Sequence, residues 1–440
     1  MARDEQLSAH GIRRGDRRLM AEMNRNLVFN VLRTGAISRA DVVRTSGLSP
    51  ATVSAIVSEL IESGLVNEIG QGKSRGGRPP LVLRINDERN YAVGVKIMRR
   101  GLFVVVTDIR AEVLYSEMVE LDWAPVTDDR TLRARGAHGT ISVLDRICLA
   151  IEDAADSAGV GMGKVVGIGI GLSGLIEPRT GTCRYTPLFG WTDVQVAAPI
   201  ATRLDRPVLV ENDCNALTLA EQWFGRGRGV DNFVVVAVGE GVGAGIVIDG
   251  NLYRGADGSA GEIGHVPVPG ATSQCICGRF GCLEAVSSEG AVLAYVEEGI
   301  AQGEESALAG TLPANRTIEE VRVAADEGDA MATAALQRAG HMLGLGIAAL
   351  VNLLNPRLVI LFGQGALGGP LGSEAAFGSL REHCFAGTDR NMDFFVGSVD
   401  DVAWARGAAC VVLSQLFSSP AHRSIELAQF RRKRAVLLST

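Results

Sequence analysis

Aromatic residues are scarce in this chain, 5% of 440 positions, while 47% are hydrophobic. Its cores must therefore be packings of Ala, Val, Leu and Ile. No run of about 18 or more apolar residues is read, so no membrane span is expected. The opening residues, Met-Ala-Arg-Asp-Glu-Gln, lack the apolar segment of a secretory signal. Cysteine is thin as well. Eight residues in a long chain without such a signal argue against a disulfide framework and for a reducing, cytoplasmic compartment. Five of them, Cys148, Cys183, Cys214, Cys384 and Cys410, are scattered and read as buried apolar side chains. Glycine, by contrast, is abundant at 54 residues, which implies many tight turns and close backbone approaches. The length fits two or three domains.

Charge is unevenly spread. Residues 1–85 hold 13 basic against 8 acidic residues, and the remainder 30 against 42, giving +5 and −12. A basic head on an acidic body places any nucleic-acid affinity in the head. Residues 1–20 read as a loose Arg-rich arm. Asn24–Arg33 reads as a helix with Leu27, Val31 and Leu32 inward. Ser38 is placed as an N-cap with Asp41 completing a capping box, and Ile37 with Val42 as a hydrophobic staple. After Gly47, Ser49 caps a second helix with Pro50 at its first position. Val53, Ile56, Val57 and Leu60 then fall on one apolar stripe.

The other face of that helix offers Ala51, Ser54, Ala55 and Ser58, with Thr52 at its edge. Small residues allow close entry into a major groove, with hydroxyls facing base edges. Gly64–Gly70 reads as a strand and Leu81–Leu83 as its return. Between them lies a basic, glycine-rich tip holding Lys73, Arg75 and Arg78, shaped for phosphates or a narrow minor groove. Residues 21–84 thus read as a winged helix-turn-helix that binds double-stranded DNA.

The body carries one strand pattern twice. Tyr91–Leu114 and Asn232–Leu252 each read as strands alternating with short turns, and aligning Asp108 on Asp249 superposes the strand–turn–strand units without a gap. Helical patterns follow at about 139–158 and 287–302. Such a duplication implies two α/β lobes around a cleft. Val165–Leu172 reads as a buried strand running into the glycine-rich Ser173 loop. Pro207–Val210 is another, ending at Glu211-Asn212-Asp213-Cys214-Asn215, where polar residues past a strand end are placed for a ligand. Met331–Leu354 reads as a long helix and Leu358–Phe362 as a strand, with Gly363–Gly365 a tight loop.

The segment Gly261-Glu262-Ile263-Gly264-His265 is followed by Cys275, Cys277 and Cys282. Three thiols and one imidazole in so short a stretch are the ligand set of a closed tetrahedral zinc site. Glu262 and Glu284 flank it. A metal staple would fix both carboxylates, so that they could read a polar ligand such as a sugar.

Together these motifs resemble the ROK family of repressors, open reading frames and kinases, over about residues 20–418. The resemblance rests on Gly-Gly-Arg78-Pro79, on Glu211-Asn212-Asp213-Cys-Asn215, and above all on the tandem of Gly261–His265 and Cys275–Glu284. It implies an α/β fold, with a winged helix-turn-helix followed by a two-lobed actin-like ATPase (ribonuclease H-like) ROK domain. That domain would span 90–418, with lobes at 90–205 and 206–402, a C-terminal helix at 403–418 and a tail at 419–440. It also implies that Asn212, Asp213, Glu262, His265 and Glu284 contact a monosaccharide or a sugar derivative. Asp213 would be the general base of a kinase. His265, Cys275, Cys277 and Cys282 would hold structural zinc.

The chain departs from the kinase pattern at the phosphate turns. A kinase of this fold needs an acid and paired glycines after its first strand. Here the stretch is Lys96-Ile97-Met98-Arg99-Arg100, and bulky side chains block the backbone approach that cradles phosphates. Glu240 occupies the second turn, where the family has Thr and a carboxylate repels phosphate. No ATP and no kinase activity are therefore expected, and Asp213 is a vestigial base. Lys96 and Glu240 are expected to pair across the cleft. Alternatively Lys96, Arg99 and Arg100 bind an anion such as a sugar phosphate, or are solvated turn charges. The leading expectation is a sugar-responsive regulator, a homodimer or dimer of dimers on operator DNA, cytoplasmic and without membrane contact. Competing with it are a bifunctional kinase with a DNA-binding head and a regulator answering to a protein partner or phosphosugar. The basic tail Arg431-Arg432-Lys433-Arg434 reads as a solvated end.

Overall fold

The computed structural model describes residues 17–417 apart from 34, 72–79, 87–89, 124–132, 137–138, 188, 314–315 and 364–368. The N-terminal arm, the tip with Lys73, Arg75 and Arg78, the Gly365 turn and the C-terminal tail lie outside the described residues, wholly or for the most part. The chain divides into two compact units, Met1–Asn90 with Leu413–Thr440, and Tyr91–Val412.

In the first unit, helix Arg17–Arg33 is longer than its sequence pattern foretold, and it buries the apolar Val28, Phe29, Val31 and Leu32 while Leu27 faces out at 40% exposure. Two helices follow, Arg39–Ser46 and Pro50–Glu62. Ser38 and Ser49 cap them as expected, each hydroxyl accepting from the amide three residues on. The Asp41 carboxylate bonds the Ser38 hydroxyl. Val53, Ile56, Val57 and Leu60 are all buried, because their spacing puts them on one helical face. Strands Val66–Gln71 and Leu81–Ile85 form an antiparallel hairpin, and Ile37–Ser38 pairs on its open edge. Arg25 on the first helix pairs with Glu59 on the third.

The second unit contains two five-stranded sheets of the same topology. In the first, the antiparallel strands Tyr91–Met98, Gly101–Asp108 and Val113–Glu120 are extended by Val165–Leu172 and Val208–Asn212, both parallel to the first strand. In the second, Phe233–Val238, Val242–Ile248 and Asn251–Leu252 are extended in the same way by Leu358–Gly363 and Asp393–Ser398. The duplication seen in the sequence is thus a duplication of sheet order. Strand Val208–Asn212 belongs to the first sheet, so that lobe runs past the division near residue 205 read from the sequence. Helices Val143–Ser157 and Glu289–Ala301 occupy the two expected helical stretches, the first beginning later because Gly139–Ser142 is a strand.

The central strands are nearly all apolar because both faces are covered. Gly94 and Gly169 explain how one face is closed. A Cβ on either would lie within 2.0 Å of a backbone carbonyl of helix Asp401–Phe417, at Ala405 and Ala408. Only glycine lets that helix lie directly on the sheet. Helix Ala330–Leu354 runs through the core of the second lobe. It is long and apolar enough to cross a membrane, but more than half of its most apolar window is buried in the protein, as in the core helix of a folded domain.

Candidate functional site

Asn212 and Asp213 sit where strand Val208–Asn212 turns into helix Asp213–Phe224. Asn212 is the N-cap, accepting from the Asn215 amide at 3.2 Å, and its own amide group donates to the Gly174 carbonyl at 3.2 Å. This joins the strand end to the Ser173 loop. Asp213 is 8% exposed and accepts from Lys96, from the Ser173 hydroxyl, and from the Cys214 amide at 2.9 Å. Burial pushes its carboxyl up, but the Lys96 charge and these hydrogen bonds outweigh burial and hold it below the usual range. Lys96 is itself 7% exposed, and its ammonium lies 5.0 Å from the centre of the Trp404 ring.

The expected Lys96–Glu240 pair is not what forms. Lys96 is on a strand interior and turns inward to Asp213, while Glu240 is exposed on its turn and faces Arg99 at 3.9 Å. Arg100 pairs with Asp401. All three cations that were candidates for an anion site have carboxylate partners, but only Lys96 is buried, whereas Arg99 and Arg100 remain exposed turn charges. Glu240 also contributes, after burial, to raising the carboxyl of Glu289. The second turn is thus locally acidic.

Glu262 and His265 come from a sharp turn after Gly261. Gly261 has φ +96° and approaches the Ala244 carbonyl so closely that a Cβ would lie 2.0 Å from it. The glycine therefore seats the turn on strand Val242–Ile248. Burial first, and then the nearby carboxylates Asp213 and Glu284, push the Glu262 carboxyl up to about 7. Glu284 accepts from the Val242 amide at 3.0 Å and from the Cys275 thiol at 3.4 Å. Three carboxylates, one imidazole and the Asn212 amide are thereby gathered from segments about 70 residues apart in sequence.

The ligand atoms of His265, Cys275, Cys277 and Cys282 all lie within 4.8 Å of one another. A tetrahedral site with Zn–S near 2.3 Å and Zn–N near 2.0 Å has S···S edges of about 3.8 Å and S···N edges of about 3.6 Å. Cys277 and Cys282 are 3.8 Å apart, and His265 Nδ1 is 3.6 Å from Cys275. Those two edges match a tetrahedral site, and the four donors are close enough together to hold a metal ion. His265 Nδ1 faces the Cys275 thiol, while Nε2 points toward Glu262 at 3.9 Å, so one ring links the thiol cluster to the carboxylates. Burial raises the Cys277 thiol, but the Arg279 amide, the thiols of Cys275 and Cys282 and the Arg279 charge bring it below its ordinary value.

On the helix Pro50–Glu62, Ala51, Ser54 and Ala55 are exposed and Ser58 is half-buried. Thr52 is half-buried and its hydroxyl lies 2.8 Å from that of Ser49, so part of its bonding capacity is spent on the cap. Sequence reading missed Trp404 and Arg254. Arg254 stands beside buried Glu211, with Nε 2.7 Å from Oε2. A lone arginine just past an apolar hairpin was the available signal.

The ROK family profile matches residues 126–415. The chain is 31% identical to the xylose repressor of Caldicellulosiruptor bescii, over 92% of this chain and 99% of that one. Among solved structures, a ROK family transcriptional regulator, a homolog of the Escherichia coli MLC protein, superposes with a TM-score of 0.76 at 27% identity, covering 96% of this chain and 99% of that one. A ROK family glucokinase from Streptomyces griseus in complex with glucose and AMPPNP gives 0.62 at 27% identity, covering 73% of this chain and 99% of the enzyme. The likeness to the regulator extends over both units, and the twin sheets are those of the actin-like ATPase fold. On its sequence, its fold and its relatives, the chain belongs to the ROK family.

Proposed function

We propose that the protein is a sugar-responsive transcriptional repressor whose kinase-like unit binds a sugar without phosphorylating it. The carrying observation is one chain holding a helix-turn-helix with a small, exposed face and a kinase-like site whose base is tied to a lysine. The first unit is a winged helix-turn-helix. Ala51, Thr52, Ser54, Ala55 and Ser58 face the major groove of operator DNA, and Lys73, Arg75 and Arg78 contact its backbone or minor groove. A homodimer, or a dimer of dimers, grips a pseudo-palindromic site. Sugar binding alters the spacing of the two DNA-reading heads, so effector and operator affinities are linked.

In the second unit Asn212, Asp213, Glu262, His265 and Glu284 read sugar hydroxyls. Carboxylates and amides accept and donate in the geometry that vicinal hydroxyls require. His265, Cys275, Cys277 and Cys282 hold a zinc ion, which when bound supplies a fixed cross-link between the Glu262 turn and Glu284. Catalysis is disfavoured on two counts. A general base works best with a pKa near the working pH, and Asp213 is held below the ordinary carboxylate range. Lys96, Met98, Arg99 and Glu240 also replace the groups that would manage magnesium and phosphate, so ATP is not a cofactor. The site of action is the cytoplasm.

The test is fluorescence anisotropy with DNA from upstream of the protein's own gene, with and without D-xylose, D-glucose or N-acetyl-D-glucosamine. D-xylose comes first because of the xylose repressor relative. Salt-sensitive, specific binding shifted by one sugar is the expected result. ATP-dependent turnover of any of these sugars would instead establish the bifunctional kinase, which Asp213 and the glucokinase likeness favour.

A further inference from the structure

Glu211 is fully buried at the end of strand Val208–Asn212, in the first sheet. Its carboxylate does three things. One oxygen accepts from the Asn212 amide at 3.1 Å and from the Asn215 side-chain amide at 3.2 Å. The other accepts from Arg254 Nε at 2.7 Å. Arg254 follows strand Asn251–Leu252 of the second sheet, and its side chain is 11% exposed. The pair therefore crosses from one lobe to the other with both charges out of water.

The chain between Arg254 and the Glu262 turn is held against the first lobe a second time. Gly258 has φ +94°, and a Cβ there would lie 2.2 Å from the Ile176 carbonyl. The Ala260 amide donates back to the Arg254 carbonyl at 3.1 Å, closing the loop between them. One residue later comes Gly261, which seats the Glu262–His265 turn on the second sheet. At one end of the Glu211–Arg254 contact is the Asn212–Asp213 turn. At the other is the loop that delivers Glu262 and His265.

We propose that the buried Glu211–Arg254 pair is the strut that fixes these two ligand-reading segments relative to each other across the lobes. This rests on the reading of both segments as one sugar site. Neither residue touches the sugar in this scheme. Glu211 and Arg254 are positioning residues, and their effect is on effector affinity rather than on operator affinity alone. A buried ion pair suits the task because its geometry is directional and its loss cannot be made good by solvent.

The experiment uses the full-length protein and the variants R254K, R254M and the charge-free double variant E211Q/R254M. Lysine keeps the charge but loses the guanidinium fork, and the double variant removes the unpaired buried carboxylate that would otherwise threaten folding. Binding of whichever of D-xylose, D-glucose or N-acetyl-D-glucosamine acts on the wild type is measured by calorimetry, and operator binding without sugar by anisotropy. The expected result is sugar affinity weakened about tenfold or more in R254M and E211Q/R254M, within the usual range of coupling between sites, with partial rescue in R254K. Operator affinity without sugar stays within about twofold. Equal losses in both bindings, or unchanged sugar affinity in the double variant, would overturn the strut. Hydrogen exchange provides a readout that needs no sugar. Amides of 211–215 and of 255–265 should lose protection together in E211Q/R254M, and loss confined to 255–265 would equally overturn it. If no sugar binds the wild type, the sugar-site reading fails, and the exchange result still decides the strut.

Discussion

Replacing Lys96 with methionine removes the counter-charge of Asp213 and leaves the aliphatic volume in place. Both side chains are buried, at 7% and 8% residue exposure, so solvent does little to screen what is left. Stripping one partner from such a pair costs about 3–5 kcal/mol when the other stays charged. The pH dependence gives the sharper signature. In the wild type the Asp213 carboxyl is held below its ordinary value. Its contribution is therefore complete above the unfolded pKa, near 4, and is lost only as pH falls through the lower folded value. Between pH 5 and 8 this group adds no slope. In K96M the attraction is gone while burial, the largest influence, remains against only the Ser173 and Cys214 hydrogen bonds, so the folded pKa is expected to rise above the unfolded one. The folded state then binds more protons than the unfolded state, and stability falls as pH rises, by up to about 1.4 kcal/mol per unit. Urea unfolding at pH 5 and pH 8 reads this directly. K96M should lose about 3 kcal/mol at pH 8 and clearly less at pH 5, and K96M/D213N should recover part of the loss at pH 8. A K96M protein within about 0.5 kcal/mol of wild type at both pH values would refute the argument that Lys96 is the buried counter-ion of Asp213.

Three further outcomes are expected. Ala55→Glu places a carboxylate on the exposed face of helix Pro50–Glu62, and should abolish operator binding in anisotropy while changing unfolding free energy by no more than about 0.5 kcal/mol. Cys282→Ser removes one of the four clustered ligands, and should lower the zinc content measured by atomic emission to well under one ion per chain and reduce thermal stability. Gly169→Val meets the Ala408 carbonyl at 1.8 Å already at its Cβ, so it should cost more than about 3 kcal/mol or abolish soluble expression; a variant as stable as wild type would contradict the packing of helix Asp401–Phe417 on the sheet.

Local patterns were legible in the sequence wherever the physics is local. Ser38 and Ser49 cap their helices because a hydroxyl before a helical stripe has few better partners than the free amides of the first turn. Val53, Ile56, Val57 and Leu60 are buried because helical periodicity alone puts them on one face. The repeated three-strand pattern became two sheets of identical order. The clustering of His265 with Cys275, Cys277 and Cys282 followed from short spacing, since little chain has to close for them to meet.

What the sequence left undecided were the long-range pairings of charge. The sequence pattern puts Lys96 on the turn facing Glu240, but it lies within strand Tyr91–Met98, and Arg99 on the turn itself is the residue that faces Glu240. The strand buries Lys96 beside Asp213, 117 positions away, whereas Glu240 stays on the surface with Arg99. Arg254 lies 43 positions from Glu211 and reaches it only because the lobes bring their strand ends together. Composition, caps, stripes and the metal-ligand spacing were thus determined by the sequence by itself, since each depends on neighbours along the chain. The partner of each buried charge was decided only by the tertiary structure. A buried ion takes the counter-charge the fold places within reach, and sequence separation carries almost no information about that distance.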